Sequence, residues 1–154
     1  MKLLVMSDSH GNVGNMLQAV ELENPDAVIH LGDCWRDAER LQDRLPGLRL
    51  YQVPGNCDFR SAEDPERLLF LGDKRILICH GHTYGVKQGL LAAGLAAGEQ
   101  NLDAFLFGHT HRALCDYRGK TLFLNPGSIG ESRAFYAILS VQDGGIKASI
   151  HHLP

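Results

Sequence analysis

Five short apolar segments of this chain end in the same way, each running into an Asp, Asn or His beside a glycine. The polar stretches that follow them span residues 7–12, 32–33, 55–56, 80–82 and 108–111. Five of the eight histidines lie in three of these stretches. In open α/β sheets ligands bind at the carboxyl ends of the strands, and glycine lets backbone and ligand approach closely. The sequence therefore predicts an α/β fold whose strand ends converge on one cleft.

Strands and helices alternate in the first half of the chain, and hairpins dominate the second half. Apolar residues at helical spacing predict helices over residues 13–20, 36–45 and 86–97. Glycine-containing turns predict three β-hairpins, around residues 72–74, 118–120 and 143–145. This order is typical of an α/β chain (α+β in some schemes) with mixed sheets and helices outside them. The length of 154 residues favours a single domain over residues 1–154.

Composition and charge exclude several classes of protein. Hydrophobic residues make up 44% of the chain and charged residues 21%, which is a globular rather than a disordered composition. The net charge of −3 argues against a protein that binds nucleic acid regardless of sequence, because such proteins need a basic surface. Apolar runs stay well short of the roughly 18 residues that a membrane span needs. We therefore expect no membrane partner, and no basic stripe supports nucleic-acid binding, although a specific nucleic-acid hydrolase stays an open alternative.

The cysteines and the N-terminal segment indicate the compartment. The chain turns polar at Ser7, too early for the apolar region of a secretory signal peptide, and the four cysteines form no C-x-x-C pair. A disulfide framework is therefore not expected, and neither is a structural zinc site built on cysteine pairs. We expect a cytoplasmic protein whose cysteines are small buried residues.

The polar residues at the strand ends form a set of nitrogen and oxygen ligands without sulfur. Seven of them are candidate metal ligands: Asp8, His10, Asp33, Asn56, His80, His109 and His111. Such a set suits manganese, iron or zinc, and we expect manganese, with nickel and cobalt as further alternatives. Seven ligands are too many for one tetrahedral ion, but they fit two ions that share a bridging carboxylate. Two such ions hydrolyse phosphoryl esters by in-line displacement, and the expected nucleophile is then a bridging hydroxide.

Each motif taken alone also has a simpler structural interpretation. Asp8 and His10 can form a turn or a helix cap, Asp33 can cap a helix, and Asn56 can be a turn amide. His30 lies inside an apolar strand and is interpreted as a packed histidine. The metal site is favoured because all five motifs occupy the same place relative to a strand.

The ordered motifs together resemble a known family. They are Asp8-x-His10, Gly32-Asp33, Gly55-Asn56-Cys57-Asp58, His80-Gly81-His82 and Gly108-His109-Thr110-His111. In this order they resemble the calcineurin-like metallophosphoesterases, and the short chain with its Gly-Asn-Cys-Asp variant resembles the single-domain, YfcE-like phosphodiesterase branch. The resemblance implies a four-layer sandwich, in which two mixed β-sheets pack face to face with helices outside. It also implies a division of the ligands: Asp8, His10 and His111 on one ion, Asn56, His80 and His109 on the other, and Asp33 bridging the two and holding the hydroxide.

One departure from the family pattern bears on the substrate. Family members that cleave monoesters commonly carry a histidine after the Gly-Asn pair, where this chain has Cys57. A thiol is a poorer proton donor to an alkoxide than an imidazolium, which favours a small phosphodiester as the substrate. His82 and Cys57 are then candidates for contacts with the leaving group or with the ligands. Asn12, Asn56 and His82 are candidate substrate-binding residues, Asn12 because it lies at the start of the first predicted helix.

Two alternative functions stay open at this point. One is a phosphomonoesterase with the same site. The other is a non-catalytic, metal-binding interaction scaffold, because the retromer complex contains a protein of this fold with a degraded metal site. A homo-oligomer is also compatible with the sequence. The segments at residues 59–61 and 83–84 are expected to line the cleft.

Overall fold

The computed structural model describes residues 1–59 and 62–154, and within them the chain forms ten β-strands and three α-helices. The first half contains β1 (Lys2–Met6), α1 (Val13–Glu23), β2 (Ala27–His30), α2 (Trp35–Arg44) and β3 (Leu50–Gln52). The second half contains β4 (Glu66–Leu71), β5 (Lys74–Cys79), a 3-10 turn (His82–Tyr84), α3 (Leu91–Glu99), β6 (Ala104–Leu106), β7 (Leu114–Arg118), β8 (Thr121–Asn125), β9 (Phe135–Gln142) and β10 (Gly145–His152). No helix in the described ranges is long and apolar enough to cross a membrane.

The strands form two five-stranded sheets, and each sheet mixes parallel and antiparallel pairs. The first sheet has the order β10-β9-β1-β2-β3, in which β1, β2 and β3 are parallel and β9 pairs antiparallel with β1. The second has the order β4-β5-β6-β8-β7, in which β5, β6 and β8 are parallel and the two edge strands are antiparallel. The prediction of mixed sheets is confirmed.

Alternation along the strands builds the layers. In β1, Leu3 and Val5 belong to the core between the two sheets, whereas Leu4 and Met6 pack beneath α1 and α2 together with Met16. A third cluster packs α3 against the outer face of the second sheet. Side chains of a strand point alternately to opposite faces, so apolar strands can be buried on both sides. The resulting order of helix, sheet, sheet and helix confirms the predicted sandwich.

Two sequence-based expectations are wrong in detail. The third helix begins at Leu91 rather than at residue 86, because Gly85 and Gly89 adopt φ values of +59° and +143°, which an α-helix cannot contain. Of the cysteines, Cys79 is buried as expected, whereas Cys57 and Cys115 are exposed. Both exposed thiols lie where the chain leaves the core, on a turn and on an edge strand.

Gly108 brings the ends of β1 and β6 together. It follows the apolar end of β6, and its backbone N–H donates to the His80 carbonyl at 2.9 Å. A Cβ at this position would lie 2.8 Å from Asp8 Oδ2 and closer still to Ser7 Oγ. The residues that follow β1, β5 and β6 can therefore meet only because this position has no side chain.

Gly108→Ala is expected to destabilise the protein by about 1–3 kcal/mol, because the added methyl group overlaps buried polar atoms. Denaturant unfolding in the presence of a chelator measures this difference without a contribution from bound metal. Gly94→Ala is the matched control, since Gly94 lies within α3 with open space around it. The control should gain about 0.5–1 kcal/mol from helix propensity. Equal stability of Gly108→Ala and the natural protein would contradict the close contact.

Candidate metal centre

Carboxylate and imidazole groups from four strand ends converge around one oxygen, Asp8 Oδ1. His111 Nε2 lies 3.2 Å from this oxygen, His80 Nε2 3.8 Å and His10 Nε2 4.0 Å. His80 Nε2 also lies 3.5 Å from Asp33 Oδ2. The side chains of Asp8 and His80 are fully buried. The structure thus brings together residues that are more than 100 positions apart in the sequence.

Two groups of these residues have the spacing of metal ligands. One group consists of Asp8, His10 and His111, and the other of Asp8, Asp33 and His80. In each group the ligand atoms lie within 4.8 Å of one another. Asp8 belongs to both groups, so two cations held by them would be neighbours.

The environment of Asp8 Oδ1 fits a cation. This oxygen is buried, and within the described residues it accepts no hydrogen bond. The other oxygen, Oδ2, accepts from Ser7 Oγ at 2.6 Å and from the backbone N–H of His109 at 3.1 Å. A buried carboxylate oxygen without a donor is costly, and a metal ion beside it removes that cost. The residues present therefore fit a divalent metal.

His80 presents an unprotonated nitrogen to this cluster. Its Nδ1 lies 2.7 Å from the Leu31 carbonyl oxygen. Because a carbonyl only accepts, Nδ1 carries the proton and Nε2 keeps its lone pair in the neutral ring. Nε2 in turn lies 3.1 Å from Nδ1 of His109. Burial, followed by the nearby His80, lowers the pKa of His109, which keeps this second imidazole in its neutral, ligating form.

His111 is oriented in the same manner by an acidic residue. Its Nδ1 lies 2.8 Å from Oε1 of Glu131, and its Nε2 faces Asp8. A carboxylate partner that holds the outer nitrogen of an imidazole fixes the ring and increases its basicity as a ligand. Glu131 is not part of any motif in the sequence, and only the fold places it here.

The backbone around the site is held in a conformation that side chains rarely adopt. Five of the seven candidate ligands have positive φ angles: Asp8 (55°), His10 (43°), Asp33 (45°), His109 (70°) and His111 (60°). Non-glycine residues in this region are uncommon, and such strain concentrates at functional sites. The chain turns sharply at these residues, where it leaves the strands.

Asp58 fastens the loop after β3 to the loop after β2. Its carboxylate accepts backbone N–H groups from Gly55 at 2.8 Å, Trp35 at 2.9 Å and Asp33 at 3.0 Å. The Cys57 N–H then donates to Asp33 Oδ1 at 3.0 Å. Each loop thereby fixes the position of the other, with Asp33 between them. The sequence shows Asp58 as the last residue of the Gly-Asn-Cys-Asp motif, but spacing alone does not indicate this role.

Asn56 lies on this same loop, between Gly55 and Cys57, and is exposed. In the described parts of the chain its side chain makes no hydrogen bond. The loop contacts Asp33 closely, since a Cβ on Gly55 would overlap the Asp33 carboxylate. A metal role for Asn56 therefore stays a prediction.

The turn that carries His10 rests on a buried polar network. Asp37 Oδ2 accepts from Ser9 Oγ at 2.8 Å and from the Gly11 N–H at 2.7 Å. Ser9 Oγ also lies 3.0 Å from Nε2 of His30, whose Nδ1 accepts the Gly32 N–H at 3.3 Å. Burial lowers the pKa of His30 to about 4. The interpretation of His30 as a packed histidine is confirmed.

The buried imidazole of His30 makes stability depend on pH. In the unfolded chain it takes up a proton near pH 6.5, whereas in the folded protein it stays neutral down to about pH 4. Because the unfolded state binds more protons in this window, the free energy of unfolding should fall by up to about 3 kcal/mol as the pH decreases from 6.5 to 4. His30→Gln should show a flatter profile in denaturant titrations of metal-free protein. His152→Gln, at the exposed end of β10, is the control, and parallel profiles for all three proteins would refute the assignment.

The remaining predicted contacts lie around the cluster. The His82 ring centroid is 5.6 Å from that of His80 and 6.2 Å from that of His109, and its Nδ1 is buried without a hydrogen-bond partner in the described ranges. Burial, with a contribution from His80, lowers the pKa of His82. Asn12 is the N-cap of α1, because its Oδ1 accepts from the Asn15 N–H at 3.1 Å. The roles of His82 and Asn12 toward a substrate stay predictions.

Cys57 and the residues of the two predicted cleft segments differ in burial and in their hydrogen bonds. Cys57 is exposed, and hydrogen bonding to Asp33, together with burial, raises the pKa of its thiol. Tyr84 is half-buried and donates to Glu66 Oε2 at 2.6 Å. Phe59 is fully exposed, whereas Arg60 and Ser61 lie outside the described residues.

Asn125, the last residue of β8, and Ser128, in the turn that follows, support the site. Asn125 is buried and donates to the Gly108 carbonyl and to Thr110 Oγ1, both at 3.0 Å. Ser128 Oγ donates to the backbone carbonyl of Asp8 at 2.9 Å. The sequence between them contains Pro and Gly and reads as a simple turn. The buried side-chain amide of Asn125 fixes the loop that carries His109 and His111.

Sequence comparisons agree with this geometry. The family model described as the calcineurin-like phosphoesterase superfamily domain matches residues 1–144. YsnB of Bacillus subtilis (strain 168), a probable metallophosphoesterase, is 38% identical over 151 residues, covering 93% of this chain and 86% of that protein. The phosphodiesterase YfcE of Escherichia coli (strain K12) is 28% identical over 167 residues, covering 90% of this chain and 87% of that protein.

Solved structures share the fold. A conserved Streptococcus pneumoniae TIGR4 protein, described as a predicted phosphoesterase, matches with a TM-score of 0.82 and 29% identity over 98% of this chain and 88% of that one. Vps29 of Entamoeba histolytica complexed with zinc matches with a TM-score of 0.77 and 20% identity over 99% of both chains, which shows the fold alone. The family match spans nearly the whole chain and confirms the resemblance seen in the five motifs. This chain therefore belongs to the calcineurin-like phosphoesterase superfamily.

Proposed function

We propose that this protein is a phosphodiesterase that depends on two divalent metal ions. The observation that carries the proposal is that two groups of candidate ligands adjoin at Asp8, whose buried Oδ1 accepts no hydrogen bond in the described residues. One ion would need only one of these two ligand groups, and it would not need the imidazole of His109 beside His80. Membership in a phosphoesterase family supports the reaction class.

The proposed ligands follow the family pattern. Asp8, His10 and His111 would hold one ion, Asn56, His80 and His109 the other, and Asp33 would join them. When bound, two such ions polarise the phosphoryl group and lower the pKa of water. Manganese is our first candidate for this nitrogen and oxygen set, with iron, zinc, nickel or cobalt as alternatives.

The chain itself prepares the charge state that these ligands need. Burial opposes ionisation of Asp33, but His80 and the Cys57 N–H together hold the pKa of this carboxyl below its usual range. The proton on Nδ1 of His80 is held by Leu31, away from the cleft. The lowered pKa of Asp33 favours its ionised carboxylate and the lowered pKa of His109 favours its neutral imidazole, which are the forms that bind metal.

A diester preference is supported by Cys57. The raised pKa of this thiol keeps it protonated at neutral pH, and a thiol transfers a proton to a leaving alkoxide less readily than an imidazolium. The relative YfcE, named a phosphodiesterase, supports the same preference. Hydrolysis of a diester forms one P–O bond from water and breaks one to the leaving alcohol, which departs with the proton that water supplied.

Paired substrates test this preference. Phenyl phosphate and methyl phenyl phosphate have the same leaving group, and the metal-loaded protein should hydrolyse the diester faster. Cys57→His should shift the ratio of the two rates toward the monoester by about tenfold or more, because the new imidazolium can protonate the leaving oxygen. Cys115→His, at an exposed thiol on β7, is the matched control. An unchanged ratio in Cys57→His would contradict the role assigned to this position.

A non-catalytic scaffold is the second candidate, and the likeness to Vps29 is the observation that favours it. A scaffold would bind metal without turning over any phosphoester. The completeness of the seven-residue donor set supports the enzyme instead. Metal-loaded protein that hydrolyses neither substrate would favour the scaffold.

A further inference from the structure

A groove of about 600 Å³ opens beside the candidate metal centre. One wall comes from the segment between the 3-10 turn and α3, and the other from the segment between β6 and β7. Its lining includes Val86, Lys87, Leu90, Thr110, Arg112 and Leu114. This volume lies within the range of sites that bind small organic molecules.

The two walls continue directly from the two histidine motifs. Val86 packs on the His80–His82 segment so closely that a Cβ on Gly81 would lie 2.8 Å from Val86 Cγ2. Thr110 lies between His109 and His111 in the sequence. The groove therefore adjoins the two loops that carry these histidines.

The wall formed by the β6–β7 segment is fixed in place before any ligand binds. Thr110 Oγ1 accepts from Asn125 Nδ2 at 3.0 Å and from the Arg112 N–H at 3.2 Å. Asn125 also holds the Gly108 carbonyl, so the same amide positions the wall and the histidine loop. A preformed wall binds a ligand without the cost of ordering a loop.

The chemistry of the lining is apolar with two positive charges. Val86, Leu90 and Leu114 supply apolar surface, and the ionisable residues among the described lining, Lys87 and Arg112, are both cationic. This combination selects an apolar group that carries a negative charge.

We propose that this groove binds the second ester group of the substrate, and that the preferred substrate is a phosphodiester with one bulky, apolar, anionic ester group. The inference rests on the proposed phosphodiesterase function and names its substrate class. Arg112 and Lys87 would contact the anionic part, and Leu90 and Leu114 the apolar part. The ester group outside the groove would leave.

Three p-nitrophenyl diesters with the same leaving group test the groove. Their second groups are methyl, phenylpropyl and carboxyphenylpropyl, and kcat/KM should increase in this order. Arg112→Ala should lower kcat/KM for the carboxyphenylpropyl diester about tenfold more than for the methyl diester. Leu114→Ala should lower it for both bulky diesters relative to methyl. Lys120→Ala, an exposed cation on the β7–β8 turn, is the control and should change all three equally or not at all.

A binding measurement on metal-free protein separates failure of the groove from failure of the reaction. Carboxyphenylpropyl methylphosphonate, in which a P–CH3 bond replaces the bond to the leaving group, should shift the amide NMR signals of Lys87, Thr110 and Arg112. Equal effects of Arg112→Ala on all three diesters, together with unchanged amide signals, would overturn the groove while the turnover of methyl diester upholds the proposed function. No metal-dependent turnover of any diester would overturn the proposed function instead.

Discussion

Asp33→Asn is expected to abolish metal-dependent hydrolysis of methyl phenyl phosphate, with a loss of more than about 100-fold in kcat/KM. Replacing residues that only support metal ligands already costs about 10- to 100-fold, and Asp33 is proposed to touch both ions. The amide keeps the shape of the carboxylate and can still accept the Cys57 N–H, which the carboxylate accepts at 3.0 Å. The variant should therefore fold while losing the negative charge that lies 3.5 Å from His80.

The control for this prediction is Asp43→Asn. Asp43 is exposed on α2, so this substitution removes the same charge away from the cleft. Circular dichroism and denaturant unfolding of the three metal-free proteins show whether folding is preserved. Activity of Asp33→Asn within a few fold of the natural protein, at saturating metal, would remove Asp33 from the proposed site.

Asp58→Ala is expected to lower the free energy of unfolding by about 3 kcal/mol and to weaken metal binding. The carboxylate accepts three backbone N–H groups at 2.8–3.0 Å, and a hydrogen bond to a charged group contributes about 1.5–3 kcal/mol. Loss of these bonds leaves the N–H groups of Asp33, Gly55 and Trp35 without their acceptor. The two loops then separate, which displaces Asp33.

Asp58→Asn distinguishes this positioning role from a general loss of charge. Its amide oxygen can still accept hydrogen bonds, but its NH2 group cannot, so an intermediate loss of stability is expected. Asp43→Ala is the control for an exposed aspartate. Metal titration by calorimetry gives the second readout, in which Asp58→Ala should bind more weakly than Asp58→Asn. Equal metal affinity in both variants would limit Asp58 to a stabilising role.

The sequence predicted the parts of this protein that depend on local pattern. The continuous apolar run of β1 predicts a buried strand, and the structure buries Leu3 and Leu4 on its opposite faces. The ligand candidates were predictable because each follows an apolar strand, and strand ends meet at one edge of a sheet. His30 was predictable as a packed histidine because apolar residues surround it in sequence.

Other parts depend on contacts between distant residues. Glu131 holds His111, and Asn125 holds the Gly108 carbonyl, although neither has a sequence pattern that distinguishes it from a turn residue. The start of α3 is predicted five residues too early, because the apolar pattern places Gly89 inside the helix, whereas its positive φ angle places it outside. Local propensity does not show which glycine the tertiary structure uses for its conformational freedom.

Anomalous diffraction from crystals grown with manganese tests the account most directly. Two manganese peaks are expected in the cleft, one beside Asp8, His10 and His111 and one beside His80 and His109, with Asp33 between them. A separation of about 3.5–4 Å between the peaks would match a two-metal site for phosphoryl transfer. A single peak, or none among these residues, would contradict the dinuclear centre on which the proposed function depends.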